Sequence, residues 1–330
     1  MAEREHKDIR TLDLFAGCGG SSCGAKLSGI NIVAAVDSWA LARDTYVDNF
    51  GAVKFYCKLI ESINPLDIEK EVGKIDLILA SPECTSHTCA RGSSPRSENS
   101  RMTAFEVVRF ARILKPRWIV IENVVHMRKW DKYRAFLDTL KLELKYQVCE
   151  QVLDASAFGV PQSRRRLFIL CDRDNVPPVV ISKPDIPRIL AKDIIDGDGK
   201  YPYSPLVTDK RAKPTLERAE RAFSNIGRGQ PFLIVYYGSD AAGGWQLLDR
   251  PLRTVTTLDR FAYVKPSDGG HLMRMLQVPE IQAAMGFPPQ FKLMYGTRRD
   301  KIHLLGNAVC PPVMEHVVRT LVMSEDKARS

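Results

Sequence analysis

The stretch Asp13-Leu-Phe-Ala-Gly17-Cys-Gly19-Gly20-Ser-Ser decides the fold, because it joins an apolar run to a helical segment through a glycine-rich turn. Glycines let backbone amides approach a ligand closely, and the helix N-terminus adds partial positive charge. Such turns bind dinucleotides, flavins or S-adenosylmethionine, and some bind nothing. The next apolar run ends at Asp37, about twenty residues on, where a carboxylate can cap a helix or accept both ribose hydroxyls. Together the two features predict a nucleoside-cofactor site.

Short apolar runs recur through the first half of the chain at intervals too long for hairpins. They are Thr11–Phe15, Ile32–Val36, Ile75–Ala80, Trp118–Ile121, Gln147–Leu153 and Leu167–Leu170. Helical patterns lie between several of them, for example over Met102–Leu114, where apolar residues recur at helical spacing until Pro116. Strands that alternate with helices predict an α/β fold with a doubly wound, mostly parallel sheet.

The sequence pattern changes after about residue 172, where prolines follow one another closely and strand patterns no longer alternate with helical ones. We predict a second, smaller domain of mixed or irregular β character over residues 172–302. Strands are expected at Phe232–Tyr237 and Phe261–Val264, and a short helix is expected to open at Pro279 and close at Gly286. The run Asn307–Met323 is predicted to be a helix after a turn.

Composition narrows the class of protein. The 48 basic and 39 acidic residues give a net charge of +9, which favours a polyanionic partner such as nucleic acid. No apolar run approaches the roughly 18 to 20 residues of a membrane span, and the charged start differs from a signal peptide. Eight cysteines are scattered along the chain without the dense spacing of a disulfide framework, which favours reduced thiols. We expect a cytoplasmic protein with no membrane partner.

The third apolar run leads into Ser81-Pro-Glu83-Cys84-Thr-Ser-His87-Thr-Cys89, which puts a thiol at the carboxyl end of a central strand. Ligands of open α/β sheets bind at this edge. Cys84, His87 and Cys89 could ligate a metal, but only three ligands are in view, so we predict no metal site. The remaining interpretations are a buried inert thiol and a nucleophile, and we favour the nucleophile.

Two further polar motifs stand at strand ends. Glu122-Asn123 ends the fourth apolar run, and Gln162-Ser-Arg164-Arg-Arg166 precedes the sixth. Taken separately, a glutamate and an arginine cluster fit a structural ion pair as well as a functional site. Their order along the chain, after the glycine turn, the acid and the cysteine, favours one common site.

In this order and spacing the motifs resemble those of the DNA (cytosine-5) methyltransferases of prokaryotic or phage type. The resemblance continues through Arg250–Thr257, through Glu280 with the Met285–Pro288 stretch, and through Gly306–Val309 with Pro311 and Pro312. It covers residues 11 to about 320, with 172–245 unaligned. It implies a Rossmann-like methyltransferase domain of residues 1–171, completed by 303–330, and a target-recognition domain over 172–302.

The resemblance also implies a reaction, the transfer of a methyl group from S-adenosylmethionine to carbon 5 of cytosine in a specific double-stranded DNA sequence. Carbon 5 is a poor nucleophile until carbon 6 is attacked, and a thiolate suits that task. Cys84 would form the covalent adduct to a flipped-out base. Glu122 would bind N3 and N4 of the ring, Arg166 would hold O2, and Arg164 would stabilise the thiolate and the adduct.

The remaining roles carry over residue by residue. The cofactor residues implied are Phe15, Gly17, Gly19 and Gly20 at the methionine end, Asp37 at the ribose, and Asn307, Ala308 and Val309 completing the pocket. The DNA or target residues implied are Gln162, Arg253, Thr254 and Thr256. Trp39 fits adenine stacking and core packing equally. Residues 172–245 would set the target sequence, and the basic residues of 210–228 either touch phosphate or form a solvated face.

Some positions depart from the family pattern. Glu83 stands where the family usually has proline, directly before Cys84, and a lysine, Lys58, lies near the place of an acid that usually contacts adenine. Two alternative functions are a tRNA cytosine-5 methyltransferase, whose Cys-Phe-Thr tripeptide is missing, and a catalytically inactive DNA-binding relative. We expect the active enzyme, acting as a monomer.

Overall fold

A computed structural model describes residues 9–83, 98–174, 180–197, 199–237 and 243–328. The larger sheet is formed by β1 Arg10–Leu14, β2 Asn31–Asp37, β3 Lys54–Cys57, β4 Leu77–Ala80, β5 Trp118–Val124, β6 Gln147–Asp154 and β7 Arg165–Asp172. Its order is β3-β2-β1-β4-β5-β7-β6. Strands β1 to β5 pair in parallel, whereas β7 is antiparallel to both of its neighbours. The predicted mostly parallel sheet is confirmed, and β3 is a strand that the apolar pattern missed.

Helices cover both faces of this sheet, which explains why its central strands β4 and β5 are buried along their whole length. The helices of this half are α1 Gly20–Leu27, α2 Ala40–Asn49, α3 Pro65–Val72, α4 Glu98–Leu114 and α5 Tyr133–Asp138. Consecutive residues of one strand enter different cores: Leu77 belongs to the apolar cluster that contains Tyr46, and Ile78 belongs to the one that contains Phe110. The sheet is therefore a rigid platform buried between two apolar layers.

The smaller sheet is antiparallel and lies in the second half of the chain. It is formed by β8 Ser204–Pro205, β9 Phe232–Val235, β10 Trp245–Leu247, β11 Phe261–Ser267 and β12 Gly270–Met275. Helix α6, Lys213–Ile226, packs on it through Ala219, Ala222 and Phe223. The β character is confirmed, whereas this helix was not predicted. The domain boundaries near residues 172 and 302 stay a prediction.

Three helices end the chain: α7 Val278–Ala284, α8 Arg298–Asn307 and α9 Pro311–Ala328. The prediction that a helix begins at Asn307 is wrong, because α8 ends there and α9 begins four residues later at Pro311. A proline disfavours helical geometry in the residue before it but fits the first helical position. Helix α9 packs against α1, so the last segment returns to the larger sheet. None of the described helices is long and apolar enough to span a bilayer.

Candidate active site

The motifs predicted from the sequence meet at one edge of the larger sheet. Parallel strands β1, β2, β4 and β5 all end there, and antiparallel β7 begins there. A cavity of about 230 Å³ opens at this edge. This is the place where open α/β sheets bind their ligands.

Most of the residues predicted to bind the cofactor line this cavity. They are Phe15, Gly17, Gly20, Asp37, Asn307, Ala308 and Val309. Gly19 lies beneath the turn instead, with a φ of 96° and with the Phe50 ring 2.4 Å from the place of a Cβ. A side chain at position 19 would therefore strain the backbone and collide with Phe50. The binding role of these residues stays a prediction, but the structure brings them together.

The glycine turn is closed by a direct contact between two backbone segments. A Cβ at Gly20 would lie 2.2 Å from the carbonyl oxygen of Val309, a distance that no side chain can occupy. The N-terminus of α1 thus touches the segment between α8 and α9, almost three hundred residues away along the chain. A side chain at position 20 would force the two walls of the cavity apart.

Asp37 joins the glycine turn to the end of β2. Its Oδ2 accepts a hydrogen bond from the amide of Gly17 at 2.9 Å, and its Oδ1 accepts one from the amide of Trp39 at 2.9 Å. Burial raises the pKa of Asp37, whereas these two hydrogen bonds lower it. Each carboxylate oxygen can accept a second hydrogen bond, so the group retains capacity for a diol in the cavity.

Several residues that no motif identified also line the cavity. Two of them are Thr103 of α4 and Glu61, which follows β3. The packing of these segments against the sheet, and not a strand end, brings the two side chains to the cavity. Trp39 lines the cavity and also packs on His303, with ring centroids 5.2 Å apart. Trp39 therefore faces the cavity, as adenine stacking requires, and also packs against a neighbouring ring, as core packing requires. Lys58 lies on the same wall.

Glu122 and Arg166 form an ion pair across β5 and β7. Because the strands are antiparallel, Glu122 is opposite Phe168, and Arg166 lies diagonally next to it on the same face. Arg166 Nε is 3.2 Å from Glu122 Oε1, and the side chains are 16% and 8% exposed. Burial raises the pKa of Glu122, while the charges of Arg166 and Arg164 lower it. Burial and the two cations thus shift the pKa of Glu122 in opposite directions.

Arg164 occupies a position that the sequence did not predict. Its side chain is buried and donates to the carbonyl oxygens of Val255 at 2.9 Å and Gly306 at 2.8 Å. It therefore connects the turn before β7 to the second half of the chain and to the end of α8. These contacts assign Arg164 a positioning role, and its effect on the nucleophile stays a prediction. Cys84, His87 and Cys89 all lie outside the described residues.

Gln162 is also an internal residue in this structure. It is fully buried, its Nε2 donates to the carbonyl of Ala284 at 3.0 Å, and its Oε1 accepts from the amide of Val255 at 2.7 Å. A contact between Gln162 and DNA would require these bonds to break. Thr254 and Thr256 are only half-buried, and Thr254 donates to the carbonyl of Ser163 at 2.9 Å. Arg253, in the same segment, is also half-buried.

The family model of C-5 cytosine-specific DNA methylases matches residues 9–323. The chain belongs to this family. It is therefore a DNA cytosine-5 methyltransferase, an enzyme that requires DNA and a methyl donor. The predicted family and enzyme class are confirmed.

Relatives of this methylase cover nearly its whole length. It is 34% identical over 319 residues to the Type II methyltransferase M.NgoBI of Neisseria gonorrhoeae, covering 93% of this chain and 90% of that one. It is 27% identical over 311 residues to M.HgiDI of Herpetosiphon aurantiacus, covering 91% and 90%.

Solved structures show the same fold. A putative DNA modification methyltransferase encoded within an Escherichia coli prophage superposes with a TM-score of 0.70 at 18% identity, covering 97% of this chain and all of that one. The S. pombe Dnmt2 methyltransferase gives 0.65 at 16% identity, covering 96% and 99%. At these identities the likeness concerns the fold alone.

A series of hydrogen bonds between buried side chains supports the glycine turn of the methylase. The Ser22 hydroxyl donates to Asp13 Oδ2 at 2.6 Å and shares a 2.6 Å hydrogen bond with the Tyr46 hydroxyl. All three residues are fully buried, and burial raises the pKa of Asp13 to about 7. Asp13 and Ser22 both stand in the glycine-rich motif, but Tyr46 of α2 does not. These hydrogen bonds connect the end of β1 to α1 and α2.

Several arginines of the basic stretch around α6 contact other residues in the second half of the methylase. Arg211 donates to the carbonyl of Pro205, Arg221 donates to the carbonyl of Gly243, and Arg228 pairs with Glu220. Lys210 and Lys213 are exposed and form no ion pair with a described residue. These arginines therefore already have partners within the second half of the chain, and the two lysines are the better candidates for a phosphate contact.

Proposed function

We propose that this methylase transfers the methyl group of S-adenosylmethionine to carbon 5 of a flipped-out cytosine in a specific double-stranded DNA sequence, through a covalent adduct on Cys84. The observation that carries this proposal is the position of Glu122. This side chain lines the cavity beside Asp37 and also lines a small adjoining cavity with Arg164 and Arg166. Groups suited to a cytosine ring thus adjoin a site suited to a nucleoside cofactor.

The side chains of the cavity fit S-adenosylmethionine better than a dinucleotide. Asp37 offers acceptors for the ribose hydroxyls, and the turn Gly17–Gly20 offers backbone close to the methionine end. Among the lining residues that the structure describes, four side chains are acidic and Lys58 is basic. A pyrophosphate would be repelled by this charge, whereas a sulfonium cation would be stabilised. When bound, the cofactor supplies an electrophilic methyl group.

The protein groups account for the activation of the cytosine. The Cys84 thiolate adds to carbon 6 and forms a carbon–sulfur bond, while Glu122 in its protonated form donates its proton towards N3. Burial raises the pKa of Glu122. Arg166 holds O2 and keeps Glu122 in place. After methyl transfer a base removes the proton from carbon 5. The electron pair restores the double bond to carbon 6 and expels the thiolate.

We assign the choice of target sequence to residues 172–245. Base readout depends on side chains that reach the groove, whereas phosphate contacts set the position on the duplex. The exposed Lys210 and Lys213 are suited to the second task. The Type II names of the relatives support a role as the modifying partner of a restriction system. We propose that the chain acts as a monomer.

The product tests this function directly. DNA from a bacterial host that expresses the methylase is sequenced after bisulfite treatment, and its nucleosides are separated by mass spectrometry. We expect 5-methylcytosine at one recurrent sequence, and none with Cys84→Ser. Methylation of the exocyclic nitrogen, or of RNA instead of DNA, would contradict the proposal.

A further inference from the structure

The cofactor cavity is acidic although the protein as a whole is basic. Among the described residues of its lining, Asp37, Glu61, Glu83 and Glu122 are acidic and Lys58 is basic, in a chain with a net charge of +9. Asp37 is bound by two backbone amides, and Glu122 is paired with Arg166. Glu83 forms no ion pair with any residue that the structure describes. Its side chain lines the cavity.

Glu83 is held on the cavity wall by its two preceding residues. Ser81 donates from its amide to the carbonyl of Leu14 at 3.2 Å and from its hydroxyl to the carbonyl of Phe15 at 3.0 Å. The side chain of Asn123 donates to the carbonyl of Pro82 at 3.0 Å. The turn after β4 is thus bonded to β1 on one side and to β5 on the other. This arrangement fixes the point from which the Glu83 side chain extends.

We propose that Glu83 is a cofactor-binding residue that recognises the sulfonium charge of S-adenosylmethionine and so distinguishes the cofactor from its neutral thioether product. The inference rests on the proposed function. Glu83 is bonded directly to Cys84, which attacks the carbon next to the methyl acceptor, so the methyl-bearing sulfur must lie close to this turn. Burial raises the pKa of Asp37, and the charge of Glu83 adds to this effect.

This position has a consequence for turnover. S-adenosylhomocysteine keeps the ribose, the adenine and the amino acid, so contacts through Asp37 and the glycine turn hold product and cofactor equally. Only the positive charge on sulfur is lost with the methyl group. A carboxylate near that sulfur favours the charged cofactor and weakens retention of the product. The methylase would therefore suffer less product inhibition than a variant without Glu83.

The test is titration calorimetry with three ligands: S-adenosylmethionine, S-adenosylhomocysteine, and sinefungin, whose amine places a positive charge near the sulfonium position. We expect Glu83→Gln to weaken binding of the two charged ligands roughly 5–10-fold, a modest effect because the site is open to solvent. Binding of S-adenosylhomocysteine should change less than about twofold. Glu61→Gln, which removes the same charge from another part of the wall, is the matched control and should leave the ratio of affinities unchanged.

Each contrary outcome is distinct. Equal weakening of all three ligands would show that Glu83 only shapes the cavity, and unchanged affinities would show that it does not face the cofactor; either result overturns the inference. An equal change of the ratio in Glu61→Gln would attribute discrimination to the overall field and overturn the assignment to Glu83. If the unmodified protein binds none of the ligands, the proposed cofactor itself is wrong.

Discussion

Arg166 Nε lies 3.2 Å from Glu122 Oε1 across the antiparallel pair β5 and β7. The guanidinium charge lowers the pKa of Glu122 against the effect of burial, which raises it. In the proposed mechanism the protonated form of Glu122 donates to the cytosine ring. In that mechanism the ion pair contributes to the pH dependence of activity.

We predict that Arg166→Met moves the descending limb of kcat/KM against pH to higher pH. Activity that needs protonated Glu122 is lost as pH rises through its pKa, and removal of a neighbouring cation raises that pKa. The value of kcat/KM should fall at least roughly tenfold, because Arg166 also holds the base. Arg165→Met, an exposed neighbour, should leave the limb in place. A limb that stays or moves to lower pH in Arg166→Met would refute the coupling.

Asp37→Ala should weaken the binding of S-adenosylmethionine by about 1–3 kcal/mol, the cost of leaving buried hydrogen-bonding groups unpaired. Affinity for DNA should hardly change, since Asp37 lies inside the cofactor cavity. Calorimetry with each ligand measures both effects. Asp44→Ala removes an exposed carboxylate paired with Arg43 and serves as the control. Unaltered cofactor affinity in Asp37→Ala would show that the ribose is bound elsewhere.

Arg164→Lys distinguishes a positioning role from a purely electrostatic one. Lysine keeps the charge but cannot bond the carbonyls of Val255 and Gly306 in the same geometry. We expect the free energy of unfolding in urea to fall by about 2–4 kcal/mol. The exposed Arg165→Lys should change it by less than about 0.5 kcal/mol. Full stability in Arg164→Lys, with activity lost, would instead favour a direct role in catalysis.

Asp13 makes stability depend on pH. Its pKa of about 7 in the folded protein lies above the unfolded value near 3.8. Between these values only the unfolded state releases the proton, so stability falls as pH rises and the loss is complete above pH 7. Asp13→Asn removes this term. Relative to the variant, the unmodified protein should lose about 1–3 kcal/mol between pH 5 and pH 8 in urea unfolding. Parallel curves for the two proteins would show that Asp13 does not titrate in this range.

The sequence predicted the site best where a motif stands at the end of a strand. Asp37, Glu122 and the glycine turn meet because parallel strands end at one edge, a rule that needs no knowledge of packing. Gln162 and Arg164 belong to an equally clear motif, yet their partners are backbone carbonyls and amides far along the chain. A backbone carbonyl has no residue type, so no pattern could predict those contacts.

Helix α6 was not predicted from the sequence, for a different reason. Its basic residues were interpreted as phosphate contacts or a solvated face, but Ala219, Ala222 and Phe223 form an apolar stripe at helical spacing. Pro214 occupies the first turn, where it fits a helix start. The stripe is short, and only the sheet beneath it makes the helix stable.

The covalent step is tested most directly by trapping the enzyme on duplex DNA that carries 5-fluorocytosine at the target position found by bisulfite sequencing. Fluorine cannot be removed as the proton is, so the adduct persists after methyl transfer. We expect intact mass spectrometry to show the chain joined to the methylated strand, with the unmodified protein and with Cys89→Ser, and to show no adduct with Cys84→Ser. A stable adduct of the Cys84→Ser protein, or methylation by the unmodified protein without any trapped adduct, would contradict covalent catalysis by Cys84.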